Sequence, residues 1–487
     1  MKKLALTLAL TLPLCLVCYT TPVAADGHPE APAKIDKLMA QYADCCGFSG
    51  TVLVSDHDQV VFKKGYGLAD REWNIPNAPD VKFRLGSITK QFTSMLVLQQ
   101  VAKGSLKLDA HLSDYLPYYR KDTGSKVTIG QLLSHTSGIP SYTDDAKFFD
   151  DVSRNYYAVD DFVKKFCSGD LEFEPGAKFH YDNSGYFLLG AILEHVTGKS
   201  YETLLKENIL GPLGMKDTGY DHYAEIIPKR ASGYEQTLDG VVNARYLDMA
   251  LPYAAGSLYS TVEDLYVWDQ ALYTDKLLPP DLKQKLFTPN LNNYGYGWDV
   301  RAIATGEPGA GQTRISHGGG INGFNTLEAR YIADHDLIVI FNNTPGASLA
   351  DMAKGIRAIL YGQEPATPKR SLSRDLGQTV ATRGADAAVA EYHELQRTRA
   401  DDYDFNEEAL NQLGYRLLAD RRNADAIAIF KLNVAQFPNS DNVYDSLAEA
   451  YAKDGQKQLA IDNYRKAVAR NPQNQHAIEQ LKELEQK

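Results

Sequence analysis

The sequence predicts an α/β layered domain followed by a helical repeat region. Three observations carry this reading. Alternating, β-branched strand pairs stand at both ends of the first three quarters of the chain, with helical segments between them. A Pro-containing basic stretch, residues 365–371, then breaks the pattern. Beyond it, residue types recur with a period of 34.

The N-terminus reads as targeting sequence. Lys2 and Lys3 precede an apolar run from Leu4 to Val17, and Val23, Ala24 and Ala25 supply small residues for cleavage. This predicts a secretory signal peptide over 1–25 and an exported, periplasmic or secreted protein. The run is too short to span a bilayer, so no transmembrane helix is expected in the mature chain. Leu14 and Val17 precede Cys15 and Cys18, where a lipoprotein site wants a small residue, so lipidation is the lesser reading.

Ala33 to Tyr42 is patterned as a helix. Residues 50–55 and 60–62 alternate around the polar turn Asp56, His57, Asp58 and predict a hairpin. From Ser87 to Ala102, Phe92, Leu96, Leu98 and Val101 recur at roughly helical spacing. The stretch 110–285 reads as mostly helical, broken by turns at Pro175-Gly176 and Gly211-Pro212. Strands return at 326–331 and 337–341, around Asp334, His335 and Asp336. The predicted divisions are a catalytic domain over 26–363, a linker over 364–373 and a helical domain over 374–487. In the last, Leu413 returns as Leu447, Ala426 as Ala460, Phe430 as Tyr464 and Pro438 as Pro472. A 34-residue period of small, aromatic and proline positions resembles tetratricopeptide repeats, here over 407–440 and 441–474. Gly414 takes the small position of the first hairpin and Ala448 that of the second. Tyr392 and Asp404 break the register upstream, so the helices over 374–400 are expected only to complete the stack.

Composition narrows the function. The 487 residues are 44% hydrophobic and 23% charged, which excludes a wholly disordered or multi-span membrane protein. A net charge of −11 argues against nucleic acid as a partner. Cys45, Cys46 and Cys167 are odd in number and lack the spacing of a disulfide framework or a zinc site; one bridge, or buried unpaired thiols, fits about equally. No metal and no cofactor is expected.

Three short motifs carry chemistry. Ser87 and Lys90 are three apart, so on a helix the amine can reach the hydroxyl. A serine needs such a base to become a nucleophile, and burial lowers a lysine's pKa enough to supply one. Tyr181 and Asn183 follow, a phenol able to relay a proton and an amide able to hold a substrate carbonyl. His317 then precedes Gly318, Gly319 and Gly320, where glycines permit close backbone approach by a ligand. His-Gly-Gly-Gly also occurs in α/β-hydrolases, but their Gly-x-Ser-x-Gly elbow is absent from this sequence.

Ser-x-x-Lys, Tyr-x-Asn and His-x-Gly each occur once, in that order. The set resembles the class C β-lactamase and DD-peptidase branch of the penicillin-recognising serine hydrolases, over about 31–362. Residues 128–138 and 254–261 look like further family segments. The resemblance implies an antiparallel sheet flanked by helices with an additional all-α region. It implies that Ser87 is acylated, that Lys90 and Tyr181 share proton transfer, and that Asn183, His317, Gly319 and Gly320 bind substrate. The oxyanion hole would be the N–H groups of Ser87 and Gly320. His135 and Ser137 would belong to a structural loop. His317 stands where class C β-lactamases carry lysine. A neutral imidazole titrating near neutrality would attract a carboxylate less. That favours D-amino-acid peptides, amides or esters as substrates over β-lactams. A β-lactamase, a carboxylesterase and a non-catalytic penicillin-recognising sensor are the alternatives. The repeats would offer a surface to a protein partner.

Overall fold

The computed structural model describes residues 28–145 and 147–486. The signal-peptide reading of 1–25, with Cys15 and Cys18, lies outside them. No helix among the described residues is long and apolar enough to cross a membrane.

The core of the fold is a six-stranded antiparallel sheet. Its order is Asp299–Ala302, Thr313–Ile321, Phe324–Tyr331, Asp336–Asn342, Gly50–Asp56 and Gln59–Tyr66. Both predicted strand pairs are present, and they meet: Gly50 pairs with Asn342 and Ser55 with Leu337. Alternation along each central strand feeds two cores. Val52, Val54, Ile338 and Ile340 pack under the helices Ala31–Cys46 and Leu349–Leu360. Leu53, Leu337, Val339 and Phe341 face the opposite layer, which holds the helix Thr89–Ala102. That helix is buried nearly all round, so it carries no polar stripe.

The middle of the chain is less helical than its pattern suggested. It also contributes the strands Gly219–Tyr220 and Leu258–Ser260, which join Phe83–Arg84 in a small sheet. A separate hairpin pairs Tyr234–Thr237 with Gly240–Asn243. Short strands of two to four residues leave too brief an alternation to be read from sequence. Cys45 and Cys46, adjacent in sequence, form the one disulfide among the described residues, and Cys167 is a buried thiol.

The helices of the C-terminal region begin at Leu372 and share their own hydrophobic core. Asn423–Gln436 and Lys457–Arg470 begin 34 residues apart. Gly414 is small because a Cβ there would stand 2.4 Å from the Phe430 ring. Ala448 and Ala460 are fully buried at their helix contacts. Leu238, from the 234–243 hairpin, is part of the same core.

Candidate active site

Ser87 occupies a single 3-10 turn, Gly86–Ile88, that runs into the helix Thr89–Ala102. Gly86 has φ +55°, and a Cβ on it would approach the Gly320 backbone to 2.9 Å, so only glycine fits the turn here. Of the strand Thr313–Ile321, only residues 313–316 pair with the strand Asp299–Ala302. Residues 317–321 are therefore left with one strand edge free, and the Gly86–Ile88 turn lies against it. Gly319 allows this packing, because a Cβ there would meet the Leu85 carbonyl at 1.8 Å. Thr326 Oγ1 donates to that carbonyl from the next strand, at 2.7 Å. Gly320, by contrast, has no neighbouring atom within 4 Å of a Cβ position and faces open space.

Lys90 projects from the first turn of the helix and is fully buried. Its Nζ lies 3.0 Å from Ser87 Oγ, 2.8 Å from Asn183 Oδ1 and 2.9 Å from the Ala255 carbonyl. Burial pulls its pKa down to about 7, against the attraction of the Asp182 carboxylate. A neutral amine has two N–H bonds and one lone pair. The Asn183 and Ala255 oxygens can only accept, so they take both N–H bonds, and the lone pair is directed at the Ser87 hydroxyl. The Tyr181 ring lies beside the amine, with its centroid 4.8 Å from Nζ. Burial raises the Tyr181 phenol well above its usual range, and a hydrogen bond with Ser87 opposes this in part.

Tyr181 and Asn183 are set by the start of the helix Asn183–Thr197. Asp182 caps that helix by accepting from the Gly185 N–H. His135 and Ser137 hold Asp182 in turn. His135 Nδ1 accepts from the Asp182 N–H at 3.1 Å, and Ser137 Oγ donates to its carboxylate at 3.4 Å. Both are fully buried, and burial keeps His135 below its usual pKa. Asn183 is fixed by Nδ2 donating to Thr143 Oγ1 at 2.9 Å.

His317 is placed differently from the expectation. Its side chain is buried, and its ring does not line the cleft that holds Ser87. Nδ1 lies 2.6 Å from the Gly318 carbonyl, an acceptor only, so Nδ1 carries the proton. Nε2 then accepts from the Tyr294 hydroxyl at 2.9 Å. Burial, with the nearby Lys90 charge, pulls the imidazole down to about 3. The imidazole does not titrate near neutrality, contrary to the expectation for an open histidine; it stays neutral there because both ring nitrogens are satisfied away from water. Sequence reasoning also missed Tyr294 and the Ala255 carbonyl. Tyr294 sits in a short irregular loop with no motif to mark it, whereas Ala255 lay within a segment already noted for its resemblance.

The cleft above Ser87 has a volume of about 420 Å³. Ser87, Asn183 and Gly320 reach it, with Tyr142, Phe148 and Leu247 among its apolar walls. The arrangement places a buried amine against a half-buried hydroxyl, with the phenol beside them. It can therefore deprotonate the serine.

Comparison with known proteins agrees with this architecture. PbpX of Bacillus subtilis (strain 168), described as a penicillin-binding protein, is 31% identical over 309 residues, covering 63% of this chain and 74% of its own. The crystal structure of a penicillin-binding protein from Bacillus halodurans superposes with a TM-score of 0.58 at 29% identity, covering 66% of this chain and 98% of its own. A D-stereospecific amidohydrolase from a Streptomyces species gives 0.56 at 25% identity, over 66% and 97%. Residues 35–363 match the Beta-lactamase family, which includes penicillin-binding protein homologues, and the chain belongs to that family of serine hydrolases.

Proposed function

We propose that this serine hydrolase is exported and acts through an acyl-enzyme on Ser87, on D-amino-acid peptides or related amides and esters. The observation that carries the mechanism is the buried Lys90 amine, 3.0 Å from Ser87 Oγ and held near a pKa of about 7. Lys90 is the first base in this reading, because the Tyr181 phenol keeps its proton at any ordinary pH. Ser87 Oγ attacks the substrate carbonyl as its proton passes to Lys90 Nζ. The N–H groups of Ser87 and Gly320 take the developing oxyanion. The leaving amine or alcohol receives a proton through Tyr181 and Lys90, and water then cleaves the ester on Ser87 by the reverse relay. Asn183 orients the substrate amide.

Two observations support the substrate class. The Streptomyces relative in fold is a D-stereospecific amidohydrolase. The neutral, buried His317 supplies no cation at the third motif to bind the carboxylate of a β-lactam. Export rests on the Lys2, Lys3 and Leu4-to-Val17 pattern. The test is a panel of D- and L-amino-acid amides, matching esters and penicillin, read by turnover and by mass after incubation. Turnover of D-amides or esters, with penicillin giving a slow adduct on Ser87, is the expected result. Rapid penicillin turnover with no D-amide activity would make it a β-lactamase. No adduct with any reagent would make it a non-catalytic sensor.

A further inference from the structure

The hairpin over 234–243 joins two parts of the molecule that the sequence reading kept apart. At its tip, Leu238 is 4% exposed and belongs to the core of the C-terminal helices, with Leu372, Leu376 and Leu413. It is the one buried member of that core from before residue 372, among the described residues. Gly377 leaves room for it, since a Cβ there would stand 2.8 Å from Leu238 Cδ2. At the hairpin's base, the Gly233 carbonyl accepts from the Ala244 N–H and the Tyr234 N–H donates to the Asn343 carbonyl, each at 2.9 Å. Gly233 also packs on Gly323 and Phe324, at the turn that ends the Gly320 strand.

Between base and tip, Glu235 lines the cleft over Ser87. Among the described residues lining that cleft it is the one that carries charge. Its Oε1 accepts the Arg245 backbone N–H at 3.2 Å, which fixes the carboxylate without neutralising it. The Arg245 guanidinium is directed at Asp150 instead, 3.6 Å away. A lone carboxylate on an otherwise uncharged wall is suited to a cation, from which it can accept charge-assisted hydrogen bonds.

We propose that this hairpin is a specificity element. Glu235 receives an ammonium group of the substrate, and Leu238, seated in the C-terminal helices, holds Glu235 in place. The inference rests on the acyl-enzyme reading of Ser87 and adds the charge of the substrate to it. Glu235 touches the substrate; Leu238 is a positioning residue that acts through it. The C-terminal helices thereby contribute to substrate choice without supplying a group to the cleft.

The test uses the full chain and a series of 4-nitrophenyl esters ending in a free ammonium, each beside its N-acetylated counterpart. These activated esters need no D-peptide specificity, so serine chemistry and charge preference are read separately. The unaltered protein is expected to show a KM about tenfold lower for an ammonium ester than for its acetylated partner, a preference of the size one charge pair gives. Glu235→Gln should erase that preference through KM, with kcat held. Leu238→Ala should reduce it, while the volume-conserving Leu238→Met should retain it. No preference in the unaltered protein, or an equal rise in KM for both esters in Glu235→Gln, overturns the proposal. A full preference in Leu238→Ala overturns the anchoring role. Turnover of neither ester by the unaltered protein overturns the Ser87 reading and this inference with it.

Discussion

The Lys90 amine and the Ser87 hydroxyl stand 3.0 Å apart, one turn along the same helix start, with the amine fully buried and the hydroxyl half-exposed. Burial acts on the two groups differently. It makes the amine a base near neutrality, whereas the half-exposed hydroxyl keeps access to the cleft.

The pH dependence of acylation follows from that pair. An ordinary lysine is charged until about pH 10, but Lys90 is lowered to about 7. Its neutral form is the base, so the rate should rise with pH through about 7 and level off above 8. Below the midpoint it should fall about tenfold per pH unit. Single-turnover acylation by an activated ester between pH 5 and 9 measures this. A rate that climbs only above pH 9 would mean that Lys90 stays charged.

Ser87→Ala should lose roughly a thousandfold or more in turnover, the scale on which removal of a nucleophile acts. The variant should also show no covalent adduct by mass. Lys90 and Tyr181 adjoin the same hydroxyl and should behave as one unit. The double variant Lys90→Ala/Tyr181→Phe is then little slower than the slower single one. Fully additive losses would separate their roles.

The parts of this site that were legible in the sequence are those set by local spacing. Ser87 and Lys90 are three residues apart on a helix start, and Tyr181 with Asn183 brackets the cap of another. The outer strand pairs were legible for the same reason, since their alternation is local. The burial of His317 was not, because it depends on Tyr294, 23 residues away, and on its own strand's packing. Nor was the destination of Leu238. Its hairpin has four-residue strands, and the core that it enters lies more than 130 residues further along the chain.

His317 should therefore act as a neutral structural group. It should add no second step to the rise set by Lys90, so the pH–rate profile of the unaltered protein should keep a slope of about tenfold per pH unit between about pH 5 and 7, since the imidazole is held at about 3. His317→Lys would bury an ammonium beside Tyr294 and Lys90. It should destabilise the protein by about 3 kcal/mol or more, the range for an uncompensated buried charge. Denaturant unfolding reads this directly. A stable, folded His317→Lys with a new preference for carboxylate-bearing β-lactams would instead restore the recognition role expected from the motif.

Gly319 and Gly320, the last two of the three glycines after His317, should respond in opposite ways to the same change. A Cβ on Gly319 would meet the Leu85 carbonyl at 1.8 Å and Thr326 Oγ1 at 2.4 Å. Both neighbours are held: Leu85 belongs to the backbone leading into Gly86 and Ser87, and Thr326 Oγ1 is hydrogen-bonded to that same carbonyl. Gly319→Ala must then push the Ser87 turn away from the strand. It should cost about 1–3 kcal/mol, as overpacking does, and lower the acylation rate together with the melting temperature. Gly320 has no atom within 4 Å of its Cβ position, and that position opens on the cleft. Gly320→Ala should leave the melting temperature within a few degrees of the parent. Its methyl group instead enters the space above Ser87, so turnover of bulky acyl groups should fall more than that of acetyl esters. Thermal melts and ester-size profiles of the two variants check both halves. Equal losses of stability in the two would mean that Gly320 is as tightly packed as Gly319 and that the cleft does not reach it.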